Sequence, residues 1–443
     1  MKLNKTGAWA IAVISLAAVA VCAQAQPMGG PGKVEQSGPT PAGPIPMLSP
    51  PPQAGPEEIA RNSRPIPYQI QPDNRVTFRL KGYPLAAGVL VQGDWPGGIG
   101  GHTAIQMTKD AQGFWTATTL APLGSDVWSY SFNVDGFQVD PNWGQTNSPP
   151  SLLAANTFVI PGAFGSDFIP RGAPRGSLVY ATIPFMGATK DLEIFLPPGY
   201  YEHPERRYPV LYLTLGGAGE PGQQGESPQS VMFENMFADG RAVPMIVVSL
   251  DPGAPGGDSV GWAGFNGAGN QTSDRYVVSA DTIGTSLVDW VDHSFRTLAD
   301  RDHRAIGGFS SAGAQGFMAG ARHVDRFSTV FTFSGGYPTW PGVGVQIKSD
   351  LDPSKYEGPD LDRVPDMAKL ATFIPELQAS AHMKLVAIYV GAAEPLIQTQ
   401  QLMKKFFADR GLPLYAQENP GQIHDGRNIR ISLHDLATRI FKN

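Results

Sequence analysis

The chain has 443 residues, with 33 basic and 39 acidic side chains and a formal net charge of −6. This acidic balance argues against nucleic acid and anionic membrane surfaces as partners. The length allows two or three domains with a large core, and a single cysteine excludes a fold held together by internal disulfides.

Residues 1–25 have the pattern of a secretory signal peptide. Two lysines precede an apolar run at 8–21, and residues 23–25 form an A-x-A cleavage site. The run is short for a spanning helix, and lipidation at Cys22 would need a small residue before it, where this chain has valine. We therefore expect a secreted or periplasmic protein that has no membrane attachment after signal removal.

Two regions of different composition follow the signal peptide. Residues 26–65 are rich in Pro, Gly and Ser and cannot bury enough apolar surface to fold, which predicts a linker. Residues 66–162 contain short runs of alternating apolar and polar side chains, such as Val76, Phe78 and Leu80, separated by turn signals. This alternation predicts an all-β sandwich.

Three short motifs in this sandwich point to a known module. They are residues 89–95 (VLVQGDW), 113–115 (GFW) and 130–136 (YSFNVDG). They resemble the immunoglobulin-like module of glycogen-branching enzymes and some bacterial esterases, a module that sometimes binds polysaccharide. The resemblance implies a carbohydrate-binding role with Trp95 and Trp143 as the exposed candidates. Most other aromatic side chains of the sandwich are expected in its core.

A connector at 163–178 leads to a region where buried runs alternate with helical stretches. Five runs are mainly apolar throughout: 210–215, 245–250, 304–308, 329–333 and 384–390. Continuous apolar strands separated by helices are typical of parallel sheets that are buried on both faces. We therefore predict an α/β domain over residues 179–443.

Residues 304–313, RAIGGFSSAG, place a serine between an apolar run and a helical segment. This is the layout of a nucleophile elbow, where a strand turns sharply into a helix and exposes one serine. Gly308 stands two residues before Ser310, where a side chain would collide with the turn, and Ala312 replaces the usual second glycine. Ser311 is the alternative nucleophile, but it would place a phenylalanine at the first glycine position.

A nucleophilic serine needs a base and an acid, which follow it in this fold in the order Asp or Glu, then His. Only His424 and His434 lie near the C-terminus, more than 100 residues after Ser310; His424 is in a loop after a strand-like run, whereas His434 falls inside an amphipathic helix. We therefore favour His424 as the base. Glu394 follows the buried run 384–390 and is the predicted acid. Its competitor is Asp425, whose side chain is expected to diverge from that of its neighbour His424.

Several motifs together resemble one esterase family over the last three-fifths of the chain. They are the elbow and residues 208–213, 216–219, 287–306 and 322–336. The family includes feruloyl and acetylxylan esterases, enterochelin esterases and mycobacterial mycolyltransferases. The resemblance implies an α/β-hydrolase fold and a serine carboxylic-ester hydrolase with Ser310, Glu394 and His424 as its catalytic residues.

An oxyanion hole is expected from backbone N–H groups of Ser311 and of the glycine-rich loop at Gly217 and Ala218. The family usually has histidine where Leu215 stands and aspartate where Glu394 stands, so this sequence departs from the pattern at both positions. The sequence contains no metal-binding or dinucleotide-binding motif. Neither a metal nor a cofactor is expected.

Three functions remain consistent with the sequence. The first is removal of feruloyl or acetyl groups from plant polysaccharide such as xylan, with Trp262 as a further substrate contact. The second is hydrolysis of an enterochelin-type siderophore or another small ester; Arg275 is the only Arg or Lys between Arg241 and Arg296, which argues against it. The third is carbohydrate binding with a weak or inactive hydrolase domain. The partner would be an acylated carbohydrate or a small ester, and the oligomeric state stays open.

Overall fold

The computed structural model describes residues 67–95, 103–139, 156–215, 228–252, 273–335, 372, 383–394 and 396–442. The predicted signal peptide and linker lie outside these ranges. Residues Ile66–Asn443 form one compact unit. Within the described ranges, the helices are too short or too polar to cross a bilayer.

Nine short strands build two antiparallel sheets in the N-terminal part of this unit. They are β1 (Tyr68–Ile70), β2 (Val76–Lys81), β3 (Val89–Gly93), β4 (Thr103–Gln106), β5 (Thr108–Lys109), β6 (Phe114–Thr118), β7 (Asp126–Val134), β8 (Phe137–Val139) and β9 (Asn156–Ile160). One sheet has the order β1-β2-β6-β5, and the other has the order β4-β3-β7-β8 with β9 paired to β7. As the alternation predicts, Val76, Phe78 and Leu80 are buried between more exposed neighbours.

Trp95 lies in the core of these two sheets, which corrects its prediction as an exposed sugar platform. Its side chain is 3% exposed and stacks on Phe78 with 5.3 Å between ring centroids. The ring fills the space over Gly93, where a Cβ atom would stand 2.0 Å from a ring carbon. The missing side chain of Gly93 therefore lets Trp95 fold inward. The second predicted platform, Trp143, lies outside the described residues.

The remaining strands form one eight-stranded sheet. They are β10 (Ser177–Phe185), β11 (Ala188–Leu196), β12 (Val210–Thr214), β13 (Ile246–Leu250), β14 (Arg304–Phe309), β15 (Thr329–Phe333), β16 (Leu385–Gly391) and β17 (Tyr415–Asn419). The strand order is β10-β11-β13-β12-β14-β15-β16-β17. The six strands from β13 to β17 in this order are parallel, and β10 and β11 are antiparallel. The five buried runs of the sequence are confirmed as five of these parallel strands, and β10 begins inside the predicted connector.

Helices cover both faces of the sheet. They are α1 (Pro228–Ala238), α2 (Ser273–Thr282), α3 (Val288–Ser294), α4 (Ser310–Arg322), α5 (Ile397–Ala408) and α6 (Gly426–Ala437), with a π-helical segment at Ile283–Leu287 between α2 and α3. One hydrophobic core joins the sheet to α2, α3, α4 and α5. A second core, on the other face, joins it to α1 and α6 and also takes in Val127 of β7. The sandwich therefore shares a core with the α/β sheet.

A buried ion pair also connects the sandwich to α6. Asp126 of β7 is 2% exposed and accepts a hydrogen bond of 2.7 Å from Arg427 Nε. Arg430 donates to the Val127 carbonyl at 2.6 Å, and the Arg427 guanidinium lies 3.8 Å from the Trp128 ring centroid. These contacts tie β7 of the sandwich to the last helix of the chain.

We expect Asp126→Ala to lower the free energy of unfolding by about 3–5 kcal/mol, because it leaves a buried arginine without its charge partner. Urea denaturation of the full chain measures this. Asp73→Ala is the matched control, since Asp73 also accepts a 2.7 Å bond from an arginine but is 48% exposed, so little change is expected. Equal effects of the two substitutions would contradict a structural role for the buried pair.

Candidate active site

The strand β14 turns into helix α4 without an intervening loop. Phe309 has extended dihedral angles (φ −110°, ψ 140°), whereas Ser310, the first residue of α4, has φ 56°. A positive φ is unfavourable for a serine, and such backbone strain occurs mostly at functional sites. The sharp turn places Ser310 at the carboxyl edge of the sheet, as the elbow motif predicts.

Two glycines allow this turn to pack. A Cβ atom at Gly308 would stand 1.8 Å from the Thr214 carbonyl oxygen, and one at Gly313 would stand 2.2 Å from the Gly308 carbonyl oxygen. Gly308 is therefore required as the sequence predicts. Ala312 is buried in the first turn of α4, and the close approach to the strand falls one residue later, at Gly313.

A chain of hydrogen bonds connects three side chains from three strand ends. Ser310 Oγ lies 2.9 Å from His424 Nε2, and His424 Nδ1 lies 2.5 Å from Glu394 Oε2. Ser310 follows β14, Glu394 follows β16 and His424 follows β17. Because parallel strands end at the same edge of a sheet, the fold brings together residues that are up to 114 positions apart.

Glu394 reaches His424 although a glutamate is longer than the usual aspartate, because its loop folds back onto the end of β16. The Glu394 N–H donates to the Gly391 carbonyl at 3.3 Å, and the Gly391 N–H donates to Glu394 Oε1 at 2.6 Å. The side chain is 1% exposed. The carboxylate is thus held in a dry, hydrogen-bonded site behind the imidazole.

The imidazole of His424 also packs against an aromatic ring. Phe309, the residue before the elbow serine, stacks on it with 4.4 Å between ring centroids and 29° between ring planes. This contact helps to hold the imidazole of His424 in its orientation.

The two rival residues of the sequence prediction are engaged elsewhere. Asp425 Oδ1 accepts a 3.0 Å hydrogen bond from the Asn428 N–H and caps α6; burial raises the pKa of this carboxyl. His434 Nε2 lies 2.8 Å from Asp167 Oδ2 in the connector. Burial opposes ionisation of Asp167, but bonds from Arg241 and His434 outweigh it and hold the pKa of this carboxyl below its usual range.

The predicted oxyanion donors are only partly described. Ser311 is the second residue of α4, and backbone N–H groups in the first turn point out of the helix at its positive end. Leu215, which stands in place of the family histidine, is 7% exposed. Gly217, Ala218 and Trp262 lie outside the described residues.

Among the described residues, no group of three or more His, Cys, Asp or Glu side chains is arranged to hold a metal ion. Two polar residues that the sequence analysis did not assign do belong to the site: Ser334, directly after β15, and Asn428, in the first turn of α6. Both contact Glu394 Oε1. The signals in the sequence were that Ser334 follows a strand within the family-like stretch 322–336 and that Asn428 follows the candidate base.

The strand order and the serine elbow define an α/β-hydrolase fold. The model of the Esterase family matches residues 184–406, half of the chain. The chain belongs to this esterase family. The solved enterochelin esterase of Shigella flexneri has the same fold, with a TM-score of 0.52 at 16% identity over 83% of this chain and 94% of that chain.

Two curated relatives match part of the chain. An endo-1,4-beta-xylanase/feruloyl esterase of Xylanibacter ruminicola is 28% identical over 248 residues, which are 54% of this chain and 32% of that protein. An esterase of Mycobacterium tuberculosis is 29% identical over 140 residues, which are 32% of this chain and 28% of that protein. The chain thus spans about a third of the length of these relatives.

Proposed function

We propose that this protein is a serine carboxylic-ester hydrolase with Ser310 as nucleophile, His424 as base and Glu394 as acid. The observation that carries the proposal is the unbroken hydrogen-bond chain from Ser310 Oγ through His424 to Glu394. Each group has the role its chemistry allows: a hydroxyl that can attack, an imidazole that can take its proton, and a carboxylate that orients the imidazole.

In the acylation step, Ser310 Oγ attacks the ester carbonyl while His424 Nε2 accepts the hydroxyl proton. The Glu394 carboxylate accepts the Nδ1–H bond and stabilises the imidazolium that forms. Backbone N–H groups of Ser311 and of the loop at Gly217 and Ala218 would bind the oxyanion. The tetrahedral intermediate then collapses: the bond between the carbonyl carbon and the alcohol oxygen breaks, and His424 gives its proton to that oxygen, which leaves an acyl group on Ser310 Oγ.

In the deacylation step, water takes the place of the alcohol. His424 accepts a proton from the water as the water oxygen attacks the acyl carbon on Ser310 Oγ. The bond between the acyl carbon and Oγ then breaks, His424 returns the proton to the serine oxygen, and the carboxylic acid leaves. The stacked ring of Phe309 helps to keep the imidazole in the same orientation in both steps. No cofactor is needed for either step.

We further propose feruloyl or acetyl esters of plant polysaccharide such as xylan as the substrates. The Xylanibacter relative, whose name combines a xylanase with a feruloyl esterase, supports this class. Enterochelin-type esters are the competing class. A binding protein with an inactive hydrolase domain is less well supported, because the three candidate catalytic side chains are already hydrogen-bonded to each other.

The N-terminal signal pattern supports export, and the strand motifs support an immunoglobulin-like class for the sandwich. We propose the division into signal peptide (1–25), linker (26–65), sandwich (66–162), connector (163–178) and hydrolase domain (179–443). A carbohydrate-binding role for the sandwich cannot rest on Trp95, since that ring is buried. Trp143 remains the candidate for it.

A panel of esters tests the function on the purified full-length protein. We expect turnover of p-nitrophenyl acetate, and a kcat/KM for methyl ferulate or acetylxylan at least tenfold above that for an enterochelin-type triester. The reverse order would assign the siderophore class. No turnover, together with no labelling by a fluorophosphonate, would contradict an active hydrolase.

A further inference from the structure

We infer that Ser334 and Asn428 are positioning residues that lock the Glu394 carboxylate in the orientation that His424 needs. The inference builds on the proposed catalytic roles and assigns two further residues to the same site. Ser334 Oγ donates to Glu394 Oε1 at 2.5 Å, and Asn428 Nδ2 donates to the same oxygen at 3.2 Å. We call these two side chains the Glu394 clamp.

The two oxygens of the Glu394 carboxylate have different hydrogen-bond partners. Oε1 accepts bonds from the clamp and from the Gly391 N–H, whereas Oε2 accepts the bond from His424 Nδ1. A carboxylate fixed at one oxygen cannot rotate the other away from the imidazole. A glutamate needs this more than an aspartate does, because its side chain has one more rotatable bond.

A second set of buried hydrogen bonds fixes which end of the Asn428 amide faces Glu394. Asn419 Nδ2 donates to Asn428 Oδ1 at 2.7 Å and to Ser432 Oγ at 2.9 Å. Because the Asn428 amide oxygen already accepts a hydrogen bond, its nitrogen faces Glu394 and Ser334. Asn428 Nδ2 donates to Ser334 Oγ at 2.8 Å. Because a carboxylate oxygen only accepts hydrogen bonds, this orientation gives Glu394 Oε1 a donor that it can bind.

The backbone of Ser334 has a conformation that is unusual for a serine. Ser334 has φ 51° and is 0% exposed, a conformation in which glycine is more stable than serine. Its N–H donates to the Tyr389 carbonyl at 2.7 Å, which fixes the end of β15 against β16. A serine at a position that favours glycine is explained by what its hydroxyl does, and here the hydroxyl binds Glu394.

The test is Ser334→Gly, which removes the hydroxyl and relieves the unfavourable φ. We expect kcat per titrated active site to fall about tenfold with KM unchanged, the loss of one hydrogen bond to a charged group. Asn428→Ala should act in the same direction. Ser328→Ala is the matched control: this serine is also 0% exposed, precedes the same strand at its opposite end, and should leave kcat unchanged.

A double-mutant cycle separates positioning from a merely structural role. If Ser334 acts through Glu394, then Ser334→Gly should change kcat less than about twofold when Glu394 is already glutamine. Additive losses, or an unchanged kcat in the single variant, would overturn the clamp. If Ser334→Gly does not fold, Ser334→Ala replaces it in the same cycle.

A readout without substrate distinguishes failure of the clamp from failure of the proposed function. We expect the proton between His424 Nδ1 and Glu394 to give a far-downfield NMR resonance in wild type. This resonance should shift or broaden in Ser334→Gly and stay unchanged in Ser328→Ala. An unchanged resonance in Ser334→Gly contradicts the clamp. A shifted resonance in a protein that hydrolyses no ester supports the clamp and contradicts the function.

Discussion

Ser310→Ala should lower kcat for ester hydrolysis by about 10⁶-fold, the loss seen when a serine nucleophile of a triad is removed. The side chain loses only its hydroxyl, so the positive φ and the packing of α4 are retained and the melting temperature should not change. The measurement is turnover of a p-nitrophenyl ester, with fluorophosphonate labelling and mass spectrometry of the labelled peptide.

The labelled residue decides between the two adjacent serines. We expect the label on Ser310, whose Oγ contacts His424. Labelling of Ser311, or wild-type turnover by Ser310→Ala, would show that the nucleophile has been assigned to the wrong residue.

Glu394→Gln should lower kcat by roughly 10²–10⁴-fold with little change in KM, by analogy with the loss of the triad carboxylate in serine proteases. The neutral amide cannot stabilise the imidazolium, and it presents an N–H group either to His424 or to the donors around Oε1. Glu394→Asp should be milder, because the charge is retained while the reach is shortened. Steady-state kinetics on a small soluble ester measure all three enzymes.

Asp425→Asn is the control for Glu394→Gln. Asparagine is as good a helix N-cap as aspartate, so the bond to the Asn428 N–H and the start of α6 should survive, and kcat should stay near wild type. If Asp425→Asn has the lowered kcat while Glu394→Gln keeps a kcat near wild type, then the acid is Asp425.

The strands and the turn that position the site could be predicted because each is marked by a pattern of neighbouring residues in the sequence. Gly308 and Ser310 identify the elbow within a few residues, and buried strands such as β15 and β16 are continuous apolar runs. Chain order then favoured Glu394 and His424. The hydrogen bond between Glu394 and His424 depends on the parallel order of the strands. The alternation of strands and helices in the sequence predicted that the sheet is parallel.

Other features of the site depend on contacts between distant segments. Ser334 and Asn428 are 94 positions apart, and neither belongs to a motif that marks it as polar and buried. Trp95 was predicted to be exposed because its motif resembles a module that sometimes binds polysaccharide. The space over Gly93 that its ring fills exists only in the folded sheet. Tertiary packing therefore decided these positions.

Helix α6 makes the sandwich and the candidate base one cooperative unit. His424 stands two residues before its first turn, and Arg427 and Arg430 within it hold Asp126 of β7. Local opening of the sandwich would release these arginines and fray the helix end that positions the imidazole. A change that raises or lowers the amide hydrogen-exchange rates in β7 should therefore change those in α6 in the same direction. The smallest active form of this enzyme should retain the sandwich.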